Sequence, residues 1–519
     1  VRGAENLITT SWGAARGETT LKSMKYIFGS SQGIRRASEQ FASDLRQTFD
    51  INAPDIVGGA KLEVPSGAIP GRAGKIVRTP FNLLTSADNF FKNVLRDSEY
   101  HQRAFEQAYQ EGFRKAALAK RVTELVENPT EAMRARAEKV AAEFTFTTEP
   151  GPLASGVSKI LQKVPLMRLL IPFVQTPTNI VKFQAQRHPI GVFSPRNIKD
   201  VMAGGLERRE AVARIAVGSL MTAGAIEAAF NAGHNITGAA PSGAGEKDSF
   251  YASGKKPYSI KIGNQWVSYN RFQPLGLYLT QAVGIRDALA SGDSKTAGNL
   301  FTTLVVTTAK GVADLPFVSG VSGVISALND PTNESYVSRA FGGILTGLIP
   351  NVSRNVASAA DPLQRNARTI SDQIKMMVPG LRNTVKPRTT VTGENQLNGG
   401  SPLQRGFLNI VTEDKGSDLS KALDEIGRET GYYPSQPKPG VKVQGRKLST
   451  QEYERYAKLS GQKFASKLQV ALSDAAFKEL DPADKQRTLE SMVSDSRKQA
   501  AEQLFGKVAK KKSSKIKRY

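Results

Sequence analysis

The segment FYASGKKPYSIKIGNQWVSYNRFQPLGLYL (Phe250–Leu279) interrupts a chain that otherwise shows the apolar periodicity of helices. Within it, apolar and polar residues alternate on both sides of Gly263-Asn264, a pair that tolerates the positive φ angles of a two-residue turn. Pro274 and Gly276 close this unit and start a new helical pattern. The alternation predicts a β-hairpin. Because an isolated hairpin is only marginally stable in water, we expect it to pack against neighbouring helices.

Three large aromatic residues stand out in the predicted hairpin, namely Tyr258, Trp266 and Tyr269. We assign them to packing of the hairpin or to a contact between subunits. A purely structural role in the core explains the same residues.

The rest of the chain predicts a mainly α fold, a multi-segment helical assembly with one inserted β-hairpin at about 257–270. Ser31–Phe49 is typical of an amphipathic helix whose apolar stripe includes Ile34 and Phe49. Ser449 and Glu452 have the spacing of a capping box, which predicts the start of a helix.

Stretches rich in proline and glycine divide this pattern into seven predicted regions. These are a helical segment (1–51), a linker (52–74), a long-helix region (75–150), an Ala/Gly-rich apolar helical core with the hairpin (151–384), a linker with short helices (385–447), a C-terminal helical hairpin (448–506) and a basic tail (507–519).

The charge of the chain points to an anionic partner. Of 519 residues, 71 are Lys or Arg and 47 are Asp or Glu, which gives a formal net charge of +24. An excess of this size favours nucleic acid or a phospholipid surface without deciding between them. The chain has no cysteine, which excludes disulfides and thiolate metal sites. It begins at Val1, so we expect a processed product or part of a longer polypeptide.

The densest basic run is the C-terminal tail, where we predict sequence-independent contacts with phosphate groups. The residues are Lys507, Lys510, Lys511, Lys512, Lys515, Lys517 and Arg518. A solvated charged surface is the simpler alternative for such a run.

The most lipid-like stretch is AVARIAVGSLMTAGAIEAAF (Ala211–Phe230), whose length matches one membrane crossing. Its small residues and its two charges, Arg214 and Glu227, favour a packed helix instead. Conditional insertion into a membrane is the alternative. The predicted membrane contacts are Ile215, Leu220 and Ile226.

We find no pattern of residues that supports catalysis. His101, His188 and His234 are far apart and have no metal-ligand spacing. The chain has no GxSxG nucleophile elbow, and the segment GRAGK (Gly71–Lys75) lacks the spacing of a phosphate-binding loop. The sequence therefore predicts no catalytic residue, no metal ligand and no cofactor.

Five segments stand out in this order along the chain. They are GRAGKIVRTPFNLLTSADNFFKNVLRDSEYHQRAFEQA (Gly71–Ala108), LLIPFVQTPTNIVKFQAQRHPIG (Leu169–Gly191), PYSIKIGNQWVSYNRFQPLG (Pro257–Gly276), DLPFVSGVSGVISAL (Asp314–Leu328) and DPLQRNARTISDQIKMMVPGLR (Asp361–Arg382). Together they resemble the C-terminal part of the large virion polypeptides of tailed bacteriophages, a group described as large polyvalent protein-associated domains. Relatives of that group include internal virion or ejection proteins.

The resemblance implies a non-enzymatic protein stored inside the capsid near the portal, in a homo-oligomeric core with other virion proteins. It would contact packaged DNA without sequence specificity. It would leave with the DNA, and help to form a conduit across the host envelope, with conditional contact to the host membrane. Some relatives carry a transglycosylase domain far upstream, and we do not transfer that activity to this chain.

Two alternatives remain at this point. The first is a permanent structural protein of the head or portal that binds packaged DNA and never leaves the virion. The second is an enzyme with an unrecognised hydrolase or nuclease site.

Overall fold

The computed structural model describes residues 1–50, 52–54, 56, 71–148, 175–291, 297–313, 351–367, 369–406, 410–438, 440 and 442–506. This part of the chain is mainly α-helical with a few short strands, which confirms the predicted fold class. The basic tail 507–519 lies outside the described residues, as do the apolar stretches 318–328 and 341–349.

The described residues form two compact units. The first lies within Val1–Asn231 and Phe272–Tyr336, and the second within Ala232–Arg271 and Val337–Tyr519. The predicted apolar region 151–384 therefore contributes residues to both units.

Ten helices build the described part of the first unit. They are α1 (Arg2–Ala15), α2 (Ser31–Phe49), α3 (Gly71–Gln110), α4 (Lys115–Glu127), α5 (Glu131–Phe144), α6 (Gln175–Arg187), α7 (Pro195–Ala203), α8 (Gly205–Asn231), α10 (Leu275–Ser291) and α11 (Ala297–Ala313). Helix α9 (Ala244–Ala252), which lies between α8 and α10 in the chain, belongs to the second unit.

Helix α3 is the longest element, with 40 residues. It begins at Gly71, within the predicted linker 52–74, so Pro80 lies inside the helix. Proline removes one backbone hydrogen bond there, and this loss does not end the helix. The helix ends at Gln110, shortly before Gly112, whose φ is +90°. An apolar cluster then joins α3 to α4 and α5 through Phe105, Leu118 and Met133.

The N-terminal helices pack through small and polar residues. The buried residues of α1 are Arg2, Glu5, Asn6, Thr9, Thr10 and Gly13. In α2, which packs on α3, they are Gly33, Ala37, Asp44 and Thr48. Neither helix has a large apolar side chain among its fully buried residues.

The bounds of α2 agree with the prediction, and the middle of its apolar stripe is half-buried, with the Phe41 ring centroid 5.8 Å from that of Phe90 of α3. The two ends of the stripe are exposed. Ile34 is exposed, and 66% of Phe49 is accessible to solvent. Gly33 leaves room for the side-chain carboxylate of Asp97 of α3, which accepts a hydrogen bond from the Ser30 N–H. This contact sets which face of α2 meets α3.

The second unit contains α9 (Ala244–Ala252), α12 (Asn351–Ala360), α13 (Ile370–Lys375), α14 (Pro402–Gly406), α15 (Asp418–Thr430), α16 (Thr450–Ser473), α17 (Ala475–Glu479) and α18 (Pro482–Phe505). Its strands are β1 (Ser259–Ile262), β2 (Gln265–Ser268), β3 (Val411–Glu413), β4 (Lys442–Val443) and β5 (Arg446–Lys447).

The predicted hairpin is formed by β1 and β2, with Ile262 opposite Gln265 across the Gly263-Asn264 turn. Strand β3 adds to the free edge of β2 in antiparallel register, with Thr412 opposite Trp266. Strands β4 and β5 form a separate two-stranded sheet. Neither β3 nor this second sheet was expected, because segments of two or three residues are too short to show an alternating pattern.

A continuous apolar core holds the C-terminal part of the second unit. Leu423 and Ile426 of α15 pack with Phe464 and Leu468 of α16 and Leu489 of α18. The region 385–447, predicted as a linker with short helices, thus supplies part of this core. The predicted capping box is present, since the Glu452 backbone N–H donates to Ser449 Oγ and the Ser449 N–H donates to a Glu452 carboxylate oxygen.

We expect Leu468→Ala to destabilise the second unit by about 2–5 kcal/mol, because it leaves a cavity in this core. Leu403→Ala is the matched control, since 57% of Leu403 is exposed. It should change the free energy of unfolding by less than about 0.5 kcal/mol. Chemical denaturation with hydrogen exchange of the α16 and α18 amides measures both. Equal losses in the two variants would contradict the assignment of the core.

Candidate functional site

Helix α8 contains the stretch Ala211–Phe230 that the sequence singled out, and it is the centre of the first unit. It packs against α1, α6, α7 and α10. A Cβ atom added at Gly218 would overlap the backbone carbonyl of Arg187 at the end of α6. Gly218 therefore serves close helix packing, whereas a Cβ atom added at Gly224 would meet nothing within 4 Å.

The first turns of α8 lie in a buried group of charged side chains, which we call the ionic cluster. It brings together residues of α1, α3, α5, α6, α7 and α8. Its members are Arg2, Glu5, Glu99, Arg103, Glu106, Arg136, Glu143, Arg187, Arg196, Asp200, Arg209, Glu210 and Arg214.

Glu210 of α8 is the meeting point of three arginines from three other helices. Its carboxylate lies 3.3 Å from Arg2 Nη2 and 3.5 Å from Arg103 Nη2. It also pairs with Arg136 of α5. One carboxylate thus connects α8 to α1, α3 and α5.

Arg187 forms a second meeting point and is almost completely buried. Its Nε donates to Glu5 Oε1 at 2.7 Å, and its Nη2 donates to Glu143 Oε1 at 3.0 Å. The guanidinium lies 3.4 Å from the ring centroid of Phe183, a cation–π contact. Arg196 of α7 donates to the other oxygen of Glu143 at 2.7 Å. Helices α1, α5, α6 and α7 are therefore tied together.

Two further arginines of α8 are paired in the same way. Arg214 lies 3.2 Å from Asp200 of α7 and also donates to the Asn197 side chain. Arg209 pairs with Glu106 and with Glu18. Such pairing is what burial of a charge requires.

These arginines change the acidity of the carboxyl groups that they contact. Burial opposes the ionisation of Glu143, but Arg187 and Arg196 outweigh it and lower the pKa of Glu143 from 4.5 to about 2. Burial also opposes ionisation of Glu210, and Arg2 with Arg136 and Arg103 holds its pKa well below the usual range. Burial raises the pKa of Glu106, against the effect of Arg103.

A cavity of about 70 Å³ lies within the ionic cluster, between Arg2, Arg136, Glu143, Arg187 and Glu210. Pockets for small-molecule ligands usually have volumes of about 300–1,000 Å³, so this cavity is far smaller. No group of His, Asp or Glu in the described ranges has an arrangement that could hold a metal ion. The ionic cluster therefore joins six helices through ion pairs.

By length and composition, helix α8 is long and apolar enough to cross a membrane. Of its most apolar 18-residue stretch, 33% is buried. The helix of a protein core can meet the same criteria. The uncharged run 215–226 between Arg214 and Glu227 spans roughly 18 Å, at about 1.5 Å per residue, against about 30 Å for the hydrocarbon core of a bilayer. In this fold α8 packs against its neighbours over part of its surface, and crossing a membrane would require its ion pairs to break.

The predicted membrane-contact residues lie in different environments on α8. Ile215 is half-buried, next to the ion-paired Arg214. Leu220 is 69% exposed, and Ile226 is also exposed. Any apolar contact therefore involves the C-terminal half of α8.

The three aromatic residues of the hairpin are all buried in the second unit. Tyr258 and Tyr269 meet edge to face, with ring centroids 6.2 Å apart, and the Tyr269 hydroxyl donates to the Thr237 carbonyl at 2.7 Å. Trp266 lies opposite Lys261, whose Nζ is 5.7 Å from the ring centroid. Their described contacts are packing contacts of the hairpin. The tail cations 507–519 lie outside the described residues.

Comparison of the chain with protein-family models, with curated proteins and with solved structures gives no match.

The ionic cluster was not predicted from the sequence. Its signal was present in Arg209, Glu210 and Arg214, three of the five charges that precede the apolar run 215–226 of α8. Their partners are up to 208 positions away, as in the pair of Arg2 with Glu210, and spacing along the chain does not reveal such pairs.

Glu143 makes the stability of the first unit pH-dependent. Because its folded-state pKa lies below its unfolded value, its contribution is complete above about pH 4.5 and is lost as the pH falls through about 2. For Glu143→Gln we expect a loss of about 3 kcal/mol at pH 7, and a difference from wild type that shrinks between about pH 5 and 2.

Urea unfolding at a series of pH values, with hydrogen exchange of the α5 and α8 amides, measures how the free energy of unfolding depends on pH. Glu127→Gln, at an exposed position of α4, is the matched control and should leave the profile unchanged. If Glu143→Gln and the control gave the same pH profile, the ionic cluster would not be the source of the acid sensitivity.

Proposed function

We propose that this chain is a non-enzymatic internal virion protein of a tailed bacteriophage, part of a homo-oligomeric core at the portal vertex that is released with the DNA. The proposal rests on the ordered segments between Gly71 and Arg382 that resemble such proteins. It places the chain inside the capsid first and in the host envelope after release, where it helps to form a conduit.

The observation that carries the proposal is the way in which the helices of the first unit meet. The buried face of α1 consists of polar residues and one glycine, and the ionic cluster joins it to five other helices. A buried ion pair contributes little net stability relative to an apolar contact of similar volume. When such helices separate, water hydrates their charged and polar side chains again. Separating two apolar helix faces, by contrast, costs about 25 cal/mol for each Å² of apolar surface exposed.

Helices joined by polar seams suit a protein that must change shape to leave through a narrow portal. At α1 such a contact opens without exposing a large apolar surface to water, unlike the apolar cluster that joins α3 to α4 and α5. This property supports release over a permanent place in the capsid wall.

The net charge of +24 supports close contact with packaged DNA through phosphate groups. Within this proposal the tail residues Lys507–Arg518 provide part of that contact. The contact is independent of base sequence, since phosphate groups carry no sequence information.

The composition of the virion before and after DNA release tests the proposal. We expect the chain in full particles, by quantitative mass spectrometry, and its loss from particles that have ejected their DNA. The portal and major capsid proteins of the same particles are internal standards, because they remain in place. Retention of the chain in emptied particles would favour the alternative, a permanent structural protein of the head or portal.

Membrane contact is a separate part of the proposal, and we assign it to the exposed residues Leu220 and Ile226 of α8. We expect the purified chain to release dye from anionic vesicles at high salt, and Leu220→Glu to abolish most of this release because a charge then faces the lipid. Leu403→Glu is the matched control, at an exposed leucine of the second unit. Binding that disappears with salt and releases no dye would contradict the membrane part alone.

A further inference from the structure

The cavity of about 70 Å³ within the ionic cluster has an excess of positive charge in its lining. Buried and half-buried residues supply five arginines against four carboxylates, a difference of one positive charge. The exposed residues Lys139 and Glu207 add one charge of each sign. The arginines are Arg2, Arg136, Arg187, Arg196 and Arg214, and the carboxylates are those of Glu5, Glu143, Asp200 and Glu210. Adding the other members of the cluster leaves the difference unchanged, because Arg103 and Arg209 are balanced by Glu99 and Glu106.

The carboxylates of the lining are already engaged by its arginines. Glu143 accepts from Arg187 at 3.0 Å through one oxygen and from Arg196 at 2.7 Å through the other. Asp200 accepts from Arg214 Nη1 at 3.2 Å. An additional cation would therefore meet paired carboxylates and a positive lining, and the cavity does not suit a cation.

Several N–H groups at the cavity have no acceptor in the described part of the chain. Arg214, 5% exposed, donates through Nη1 alone, so its Nε and Nη2 groups have no protein partner. Arg136 contacts Glu210 through Nη2, and its Nε is buried without a hydrogen bond. Buried charged donors without an acceptor are costly, so the cavity requires an acceptor from outside the chain.

Water alone meets only part of this requirement. The cavity has room for about two water molecules, at roughly 30 Å³ each, and their oxygens can accept from the free N–H groups. Water leaves the excess positive charge of the lining uncompensated, and an uncompensated buried charge is costly. One monovalent anion supplies both the acceptor and the charge. A nucleotide or a nucleic-acid backbone needs a pocket several times larger.

We propose that this cavity binds one small monovalent anion, of the size of chloride, through the free N–H groups of Arg136 and Arg214. Lys139, an exposed residue of the lining, adds to the attraction. The bound anion completes the charge balance among α1, α5, α6, α7 and α8, and it therefore stabilises the packed arrangement of these helices. This inference does not rest on the proposed virion role, because it concerns a site within the first unit alone.

Thermal unfolding of the full chain at constant ionic strength tests the inference, with chloride compared to gluconate, an anion of the same charge that is too large for the cavity. We expect the unfolding midpoint of the first unit to rise with chloride concentration and to saturate, which gives a dissociation constant for chloride. Hydrogen exchange of the α5 and α8 amides assigns the transition to the first unit. Equal midpoints in chloride and gluconate would overturn the inference.

Two lysine variants test the place of the site. We expect Lys139→Gln to raise the chloride dissociation constant about fivefold, because it removes one exposed charge near the anion. Lys120→Gln is the matched control, since Lys120 of α4 is also an exposed lysine of the first unit and does not line the cavity. It should bind chloride as the wild type does. Both lysines are exposed, so both variants should fold, and equal dissociation constants for the two would contradict the site.

Diffraction from crystals of the full chain grown with sodium bromide locates the anion directly, because bromide scatters X-rays anomalously. We expect an anomalous peak in the cavity, in contact with the guanidinium groups of Arg136 and Arg214. Anomalous peaks at surface positions alone, with none in the cavity, would overturn the inference. None of these outcomes bears on whether the chain leaves the virion with DNA.

Discussion

The architecture of the first unit depends on the pairing of buried arginines with buried carboxylates. Arg187 and Glu210 each connect three or more helices, and neither side chain tolerates the loss of its partners, because an unpaired buried charge costs several kcal/mol. Charge pairing also specifies how the helices are arranged, since a buried arginine must donate to a carboxylate or another hydrogen-bond acceptor at the right distance. Apolar contacts alone would permit several registers of the same helices.

The same pairing of buried charges determines the environment of α8. By composition the helix is close to a membrane span, yet Arg209, Glu210 and Arg214 fix its first half among charged partners and Gly218 brings it against α6. The exposed apolar residues that remain, such as Leu220, lie beyond these contacts. A proposed role at a membrane therefore requires either a limited contact through that half or an opening of the ionic cluster.

The second unit is stabilised differently. Leu423, Leu468 and Leu489 belong to an apolar cluster of α15, α16 and α18, where opening exposes hydrocarbon to water. The two units thus differ in the chemistry of their helix contacts, with polar seams around α1 and α8 and an apolar seam around α16. For a protein proposed to leave a capsid, this difference suggests which helices separate first and which persist as a folded body.

The sequence by itself determined the local structure. The capping box at Ser449, the hairpin turn at Gly263-Asn264 and the bounds of α2 follow from interactions within a few residues, and such short-range chemistry can be read from adjacent letters. Tertiary structure alone decided which face of α2 is buried, where β3 pairs, and that the charges of α8 meet Arg2, Arg103 and Arg136. Those contacts join residues far apart in the chain, and the free energy that selects them comes from the packing of whole helices and the desolvation of charges. Neither the packing free energy nor the desolvation free energy can be read from a local pattern in the sequence.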